Sequence, residues 1–250
     1  MQATEFDKLA SFEGWYWWYR AQRANLVDAV RHLPLPKGAR VLDAGCGTGR
    51  NLTELARCAQ AVAFGIDVSP QAVGVWRHGR DRRYCQASIN ELPYSSQAFD
   101  VVTSVDVLQE KSVDPRRAVR EMSRVLRIGG HLILLAPAYQ WMLSRHDRAV
   151  DSVRRFTRRE LNALIGDAGL SIEKTTYRFG VFFPVIASKR LWNQILSPRT
   201  DSPAASDLAP IPRWMNAALS VAARIERGVA RRISLPFGST ILLIARKGAQ

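Results

Sequence analysis

The chain has 250 residues, 47% of them hydrophobic, enough for one domain with a decoration or at most two small ones. Its 36 basic against 22 acidic residues leave a net charge of +14, which raises a nucleic-acid or anionic-membrane partner. The excess is nearly all arginine, spread over many helical segments and local clusters at 80–83 and 154–159, and no RNA-binding aromatic motif or zinc pattern stands beside it, so a solvated surface is favoured and no nucleic-acid partner is expected. No apolar run approaches the roughly 20 residues of a membrane span, and the N-terminus has neither a basic start nor an apolar signal core; a cytoplasmic protein is expected. Cys46, Cys58 and Cys85 fit no metal spacing and no disulfide framework, so they are read as free thiols and no metal is expected.

In chain order, residues 1–38 form a helical arm closed by "LPLPKG", and within it "FEGWYWWYRAQR" runs five aromatic residues together from Trp15 to Tyr19. From Ala39 onward short apolar β-rich runs alternate with amphipathic helical ones, the pattern of a doubly wound α/β sheet. Seven strands are predicted: "ARVLDA", "AVAFGID", "RRYCQAS", "FDVVTSV", "HLILLAP", "LSIEKTTY" and "STILLIAR". Between them, "SPQAVGVWRH" starts a helix on a Ser cap and a first-turn Pro, and "DPRRAVREMSRVLRIGG" is a helix capped by Asp114 and stopped by Gly129 and Gly130.

Between the last two strands, residues 178–236 form an insertion of 59 residues where an antiparallel pair needs only a short loop. It opens with "FGVFFPVIASKRLW", passes a flexible "SPRTDSPAASDLAPIP" and ends in a helix in which Trp214, Met215, Ala218, Leu219, Ala222, Ile225 and Val229 recur at helical spacing. Arg224, Arg227, Arg231 and Arg232 lie elsewhere on that helix, which suits packing on the sheet, capping a pocket or lying on a membrane surface. The domain reading is therefore an arm at 1–38, a ligand-binding α/β domain at 39–177 and 237–250, and a helical substrate cap at 178–236.

The strongest chemical signal is "VLDAGCGTGRNL" at 41–52, a β-run, a glycine turn and a helix start. Such a turn lies at the carboxyl edge of the sheet and lets backbone N–H groups approach a ligand. Gly45, Gly47 and Gly49 give G-x-G-x-G; the dinucleotide fingerprint wants a glycine at position 50, which is Arg50. Asp67 closes the second strand and is placed to accept both hydroxyls of a ribose.

At these residues the chain resembles the class I S-adenosylmethionine-dependent methyltransferases of the small-molecule, type 11-like kind with a "GCGTG" loop, over roughly residues 39–177. The resemblance implies a Rossmann-like fold, S-adenosyl-L-methionine as cofactor, and a cofactor site of Asp43 near the methionine amino end, Gly45, Cys46, Gly47 and Gly49 in the loop, Asp67 and Val68 at the ribose, Ser88 and Ile89 at the adenine, and Ser104 to Asp106 toward the transfer site. Ser88 stands where the family usually has an acid. A narrower bacterial subgroup, often encoded beside glycan, lipid or natural-product pathways, is similar at "WYWWYRAQR" and "APAYQWMLSRHDRAVDSVRRFTRREL". This chain departs from it at Leu108, Gln109 and Glu110, where Leu-Glu-His is usual, and at Ser152, where a His is usual.

Methyl transfer from a sulfonium needs positioning and dryness more than acid–base chemistry, and ring faces attract a cation. Trp15, Trp18 and Arg20 to Arg23 are read as a lid, with Trp18 and Arg23 at the cofactor and Trp15 and Trp141 at the acceptor; alternatively Trp15, Trp18 and Gln22 mark a face that docks the arm on the sheet. For a hydroxyl acceptor His146 is the first candidate base, oriented by Asp147, with Tyr139 and Glu110 in reserve. Arg154 and Arg155 could grip an acidic group on the acceptor or simply precede the helix that Thr157 and Glu160 cap. The function so read is methylation of a small, partly apolar or amphipathic metabolite by a monomer or dimer, with a lipid-linked acceptor and peripheral membrane contact kept open. The alternatives are a cyclisation or rearrangement that uses the cofactor without consuming it, and an RNA-binding or RNA-modifying protein.

Overall fold

The computed structural model describes residues 3–77, 83–196 and 209–249. Most of the "RDRR" cluster and most of "SPRTDSPAASDLAPIP" lie outside them. Seven strands, β1 (Arg40–Ala44), β2 (Val62–Asp67), β3 (Tyr84–Gln86), β4 (Phe99–Val105), β5 (Leu126–Pro137), β6 (Leu170–Arg178) and β7 (Thr240–Lys247), form one open sheet in the order β3-β2-β1-β4-β5-β7-β6. β1 to β5 run parallel, and β7 enters antiparallel between β5 and β6. This is the Rossmann-like doubly wound architecture expected of the alternating pattern.

The central strands are covered on both faces, which is why they read as unbroken apolar runs. On one face lie α5 (Pro115–Val125) and α7 (Arg158–Asp167), whose Met122, Val125, Leu161 and Ile165 join a core with Leu42, Phe99 and Leu132. On the other, Leu26 and Val30 of α2 (Trp17–Arg31) and Leu55 of α3 (Arg50–Ala59) meet Val41, Val101 and Ile133. The expected caps form: Asp114 Oδ1 accepts the N–H groups of Arg116 and Arg117 at 2.9 and 3.3 Å, and Thr157 and Glu160 make a reciprocal capping box.

One boundary differs. The helix from Asp114 was expected to run to Gly129 and Gly130; it ends at Val125, and Leu126 to Gly130 already belong to β5. Leu126 pairs with Phe99 of β4, and a Cβ on Gly130 would stand 2.9 Å from the Asp100 carbonyl oxygen. Tertiary pairing with β4 therefore overrides the helical periodicity; Gly130 serves the close approach of the strands and Gly129 supplies a positive φ of 81°.

Outside the alternation stand α1 (Ala3–Phe12) with α2, and, between β6 and β7, α8 (Phe183–Leu196) and α9 (Arg213–Arg232). α9 packs along α2 and is held near both ends. The Trp17 N–H donates to Asn216 Oδ1 at 2.8 Å while Asn216 Nδ2 donates to the Trp15 carbonyl at 3.0 Å; further along, Arg231 pairs with Asp28. Tyr16 contributes no side-chain cap to α2, so Asn216 of α9 supplies from afar the acceptor that a local cap residue normally provides.

Candidate active site

The glycine turn follows β1 directly. Gly45, Gly47 and Gly49 all have positive φ, at 88°, 52° and 82°. A Cβ on Gly45 would stand 2.3 Å from Val107 of the loop after β4, whereas beyond Gly47 the space is open. The N–H groups do not point outward as the motif suggested: those of Gly45 and Cys46 donate to the Ile66 carbonyl at 2.9 and 2.8 Å, and that of Gly47 donates to Asp67 Oδ2 at 2.8 Å. The glycines thus supply room, and the N–H groups hold the turn against β2. Asp67, whose Oδ1 also accepts the Ser69 N–H at 2.8 Å, is fixed by two backbone donors and keeps lone pairs for a ligand.

A cavity of about 500 Å³ opens over this turn. Its wall takes in Gly45, Cys46, Gly47, Asp67, Val68, Ser88 and Ile89 from the loops after β1, β2 and β3. Val105, Asp106, Val107 and Glu110 line it after β4, His146, Asp147 and Arg155 after β5, and Ile186 and Arg190 from α8. Tyr16, Trp17, Trp18, Tyr19, Gln22 and Arg23 line it from the arm.

The aromatic row therefore divides its work. Trp17 is buried, with its ring 4.7 Å from Phe182, and Trp18 stacks on Phe179 at 4.2 Å between centroids; Phe179 also packs against Ala223 of α9 in the same cluster. Trp15 precedes α2, is 41% exposed and donates its indole N–H to the Ser11 carbonyl, so it is not part of the lining. Two polar latches join the arm to the sheet: Gln22 Nε2 donates to Asp106 Oδ2 at 2.9 Å, and the Thr48 hydroxyl donates to the Glu13 carboxylate at 2.8 Å. Gln22 thus docks the arm as its helical spacing allowed, whereas Glu13 carried no sequence signal, since its partner Thr48 lies 35 residues away.

Five carboxyls at the site are shifted from their ordinary values, and in Glu13 burial raises the carboxyl against the pull of the Thr48 hydrogen bond. Asp43 lies beneath the lining, fully buried, where its Oδ1 accepts the Thr103 hydroxyl at 2.7 Å. Burial raises its pKa to about 6 against the pull of hydrogen bonds from Thr103 and Asn51. Asp106 is likewise raised to about 6 by burial, which outweighs the Gln22 hydrogen bond and the Arg155 charge. Glu110 rises furthest, to about 7, through burial and then the charges of Asp67 and Asp151. Asp147 goes the other way: burial alone would raise it, but the guanidiniums of Arg155 and Arg190, 2.6 and 3.0 Å away, hold it below the usual carboxylate range.

The remaining expected residues are placed as follows. His146 lines the cavity, but its neighbour Asp147 is engaged by Ser144 and the two arginines, in place of the expected orienting contact with His146. Tyr139 lies off the lining, stacked on Tyr177 at 5.3 Å, and burial with that neighbour keeps its phenol protonated. Trp141 is 47% exposed and off the lining, and Arg154 donates to the Val113 carbonyl instead of facing the cavity. Ser104 is also off it, its hydroxyl donating to the Ala44 carbonyl, and Gly49 is spent on the start of α3. Arg190 reached the site unannounced, because only the fold of α8 brings it over Asp147.

A family profile described as a methyltransferase domain matches residues 42–134, the stretch that carries the glycine turn, Asp67, Ser88, Asp106 and Glu110. Residues 42–134 thus carry a methyltransferase domain. A geranyl diphosphate methyltransferase solved in complex with SAM superposes with a TM-score of 0.60 at 18% identity, over 91% of the chain and 84% of that structure. A malonyl-[acyl-carrier protein] O-methyltransferase of Herminiimonas arsenicoxydans is 34% identical to the chain over 132 residues, covering 52% of it and 46% of the relative. A 27-O-demethylrifamycin SV methyltransferase of Amycolatopsis mediterranei (strain S699) is 35% identical over 112 residues, 41% of the chain and 40% of the relative. The chain thus spans less than half the length of these relatives. Among solved structures, the [4+2]-cyclase SpnF superposes with a TM-score of 0.58 at 25% identity, over 90% of the chain and 80% of the cyclase. The matched stretch lines the end of the cavity at the glycine turn, and α2 and α8 add walls from outside it.

Proposed function

We propose that the whole chain transfers a methyl group from S-adenosylmethionine to a small, partly apolar or amphipathic acceptor, in a site roofed by the arm at 1–38 and capped by the insertion at 178–236. The observation that carries this reading is the continuity of one cavity of about 500 Å³, in the range of small-ligand sites, from the glycine turn to the aromatic arm and α8. The residues fit the cofactor: a carboxylate fixed by two N–H groups suits a ribose diol, open space at Gly47 suits close approach, and Ser88 and Ile89 offer a hydroxyl and an apolar side to an adenine. Asp43 would act from beneath, and Trp18 and Arg23 from the roof. Bound there, the cofactor supplies an electrophilic methyl group. The chain's part is to hold the acceptor in line and to exclude water.

For a hydroxyl acceptor, Glu110 is the base in this proposal. It is the cavity carboxyl poised near neutrality, and it would take the acceptor proton as the oxygen bonds to carbon and the carbon–sulfur bond breaks. His146 is the second candidate. Arg155 donates from Nη2 to Asp147 and from Nη1 to the Ala138 carbonyl, so in this reading it fixes the cavity floor and keeps its buried, unpartnered Nε–H for an acidic acceptor.

Calorimetric titration with S-adenosylmethionine and its demethylated product is expected to show binding that collapses in Asp67→Ala, followed by a methyl mass gain on amphipathic acceptors matched by demethylated cofactor. An intact protein that binds neither compound would overturn the proposal. The likeness to SpnF favours one second reading, in which the bound cofactor props a cyclisation. A product of unchanged mass, with no cofactor consumed, would select it.

A further inference from the structure

α9 carries two apolar faces. Leu219, Ala223, Glu226 and Ala230 form the inner one, with Ala223, Glu226 and Ala230 buried. The outer one is a second stripe at helical spacing, Trp214, Ala218, Val221, Ile225 and Val229, that faces solvent, with Trp214 70% and Ile225 64% exposed. The recurring apolar positions of the sequence thus split between the two faces, and an isolated soluble domain has no use for the second.

The charges around this stripe have one sign. Arg213, Arg224, Arg227 and Arg231 are spaced by eleven, three and four residues, so they share a flank of α9, where Arg231 is paired with Asp28 of α2 while Arg213 and Arg224 are exposed, and Arg232 follows at its end. Between Val181 and Leu196 and between Ala209 and Pro236 the one acid is Glu226; it is buried, and its carboxylate accepts the N–H groups of Phe179 and Val181. α8 repeats the theme: Ile186 and Arg190 face the cavity, while Val185, Leu191, Trp192 and Lys189 are exposed.

We infer that the exposed face of α9, extended by α8, docks the protein on an anionic lipid surface. The arginine stems reach from the flank to headgroup phosphates while Trp214, Val221, Ile225 and Val229 sit at the acyl boundary. The competing partners fit less well. A second copy of this face would oppose arginine to arginine, and a nucleic acid would leave the Val and Ile side chains without an apolar contact. Among the described residues no helix is long and apolar enough to span a bilayer, so the contact is in the plane of the surface. α8 lines the cavity with Ile186 and Arg190 and exposes Val185 and Trp192, so docking through α8 would place that part of the cavity wall beside the bilayer.

The test is co-sedimentation of the full chain with phosphatidylcholine vesicles and with vesicles containing phosphatidylcholine and phosphatidylglycerol in about equal parts. Partition onto the anionic vesicles is expected to exceed that onto the neutral ones at least about tenfold and to fall as salt is raised. Trp214→Ser and Ile225→Ser are each expected to reduce it by about tenfold or more, and Arg224→Glu with Arg227→Glu to remove the preference for anionic lipid. Unchanged thermal unfolding of each variant shows that the fold is kept, and neither readout depends on methyl transfer. Equal partition onto both vesicle types, or variants that leave partition unchanged, would overturn the inference. So would light scattering that shows a dimer dissolved by Ile225→Ser, or transfer-RNA binding lost in the same variants, with no partition onto vesicles.

Discussion

The glycine turn and the roof opposite it face one cavity and are built in opposite ways. In the turn, the contact that fixes the ligand-facing carboxylate links Gly47 to Asp67, 20 residues apart, and both belong to one strand–turn–helix–strand unit. In the roof, the contacts that seat the aromatic arm link Trp17 to Asn216, 199 residues apart, and Asp28 to Arg231, 203 apart. A locally closed unit presents its chemistry wherever the fold places it. A roof that leans on α9 as well as on the sheet is complete only when the last helix has docked, and part of its stability is that of the docking.

The largest expected effect lies where the two halves meet. Glu110→Gln should lower kcat/KM with a hydroxyl acceptor by about 10²- to 10⁴-fold. The wild-type rate should rise with pH through about 7, as Glu110 loses its proton, and the variant should flatten that rise. A variant that retains the full rate and the pH profile would remove Glu110 from the chemistry.

Within the locally built half, Asp67→Ala deletes a charged hydrogen-bond acceptor, a loss of about 1.5–3 kcal/mol, so calorimetry should show cofactor affinity lower by about tenfold to 100-fold. The roof should answer differently. Asn216→Ala removes a cap from α2 without touching the turn, costing about 1 kcal/mol of stability. Proteolysis should then cut the arm faster, and the acceptor KM should rise more than the cofactor Kd. Equal effects on both would mean that turn and roof are one cooperative unit.

The smallest effect is a pH dependence of stability. Asp43 and Asp106 are raised from 3.8 to about 6 and Glu110 from 4.5 to about 7, so between these values the folded chain holds protons that the unfolded chain has released. The stability these groups contribute is complete below the ordinary carboxylate range and is lost as pH rises through about 6 to 7. Thermal unfolding of the ligand-free protein should therefore show a Tm that drops between about pH 4 and about pH 7, and Asp106→Asn should reduce the drop.

Much of the locally built half could be read in advance. The alternation of strands and helices, the glycine spacing, Asp67, the Asp114 cap and the Thr157–Glu160 box each rest on residues within a few turns of one another, and each stands in the fold. The end of α5 could not be read, because Leu126 leaves the helix to pair with Phe99 of a preceding strand. Nor could the row of rings: helical spacing offered Trp15, Trp18 and Gln22 as one face, yet α2 begins at Trp17, which turns Trp17, Ala21, Gln22 and Asn25 inward and leaves Trp15 in the preceding turn.

By itself, then, the sequence determined the sheet, the turn and the acid beside it, since backbone sterics and short-range hydrogen bonds are written in neighbouring residues. Tertiary structure alone decided which ring meets the cavity, that Asp147 serves two arginines instead of His146, and which stripe of α9 is left facing solvent. Those outcomes depend on burial and on partners far along the chain. Periodicity reports that a face is apolar, and only packing selects the face that is covered.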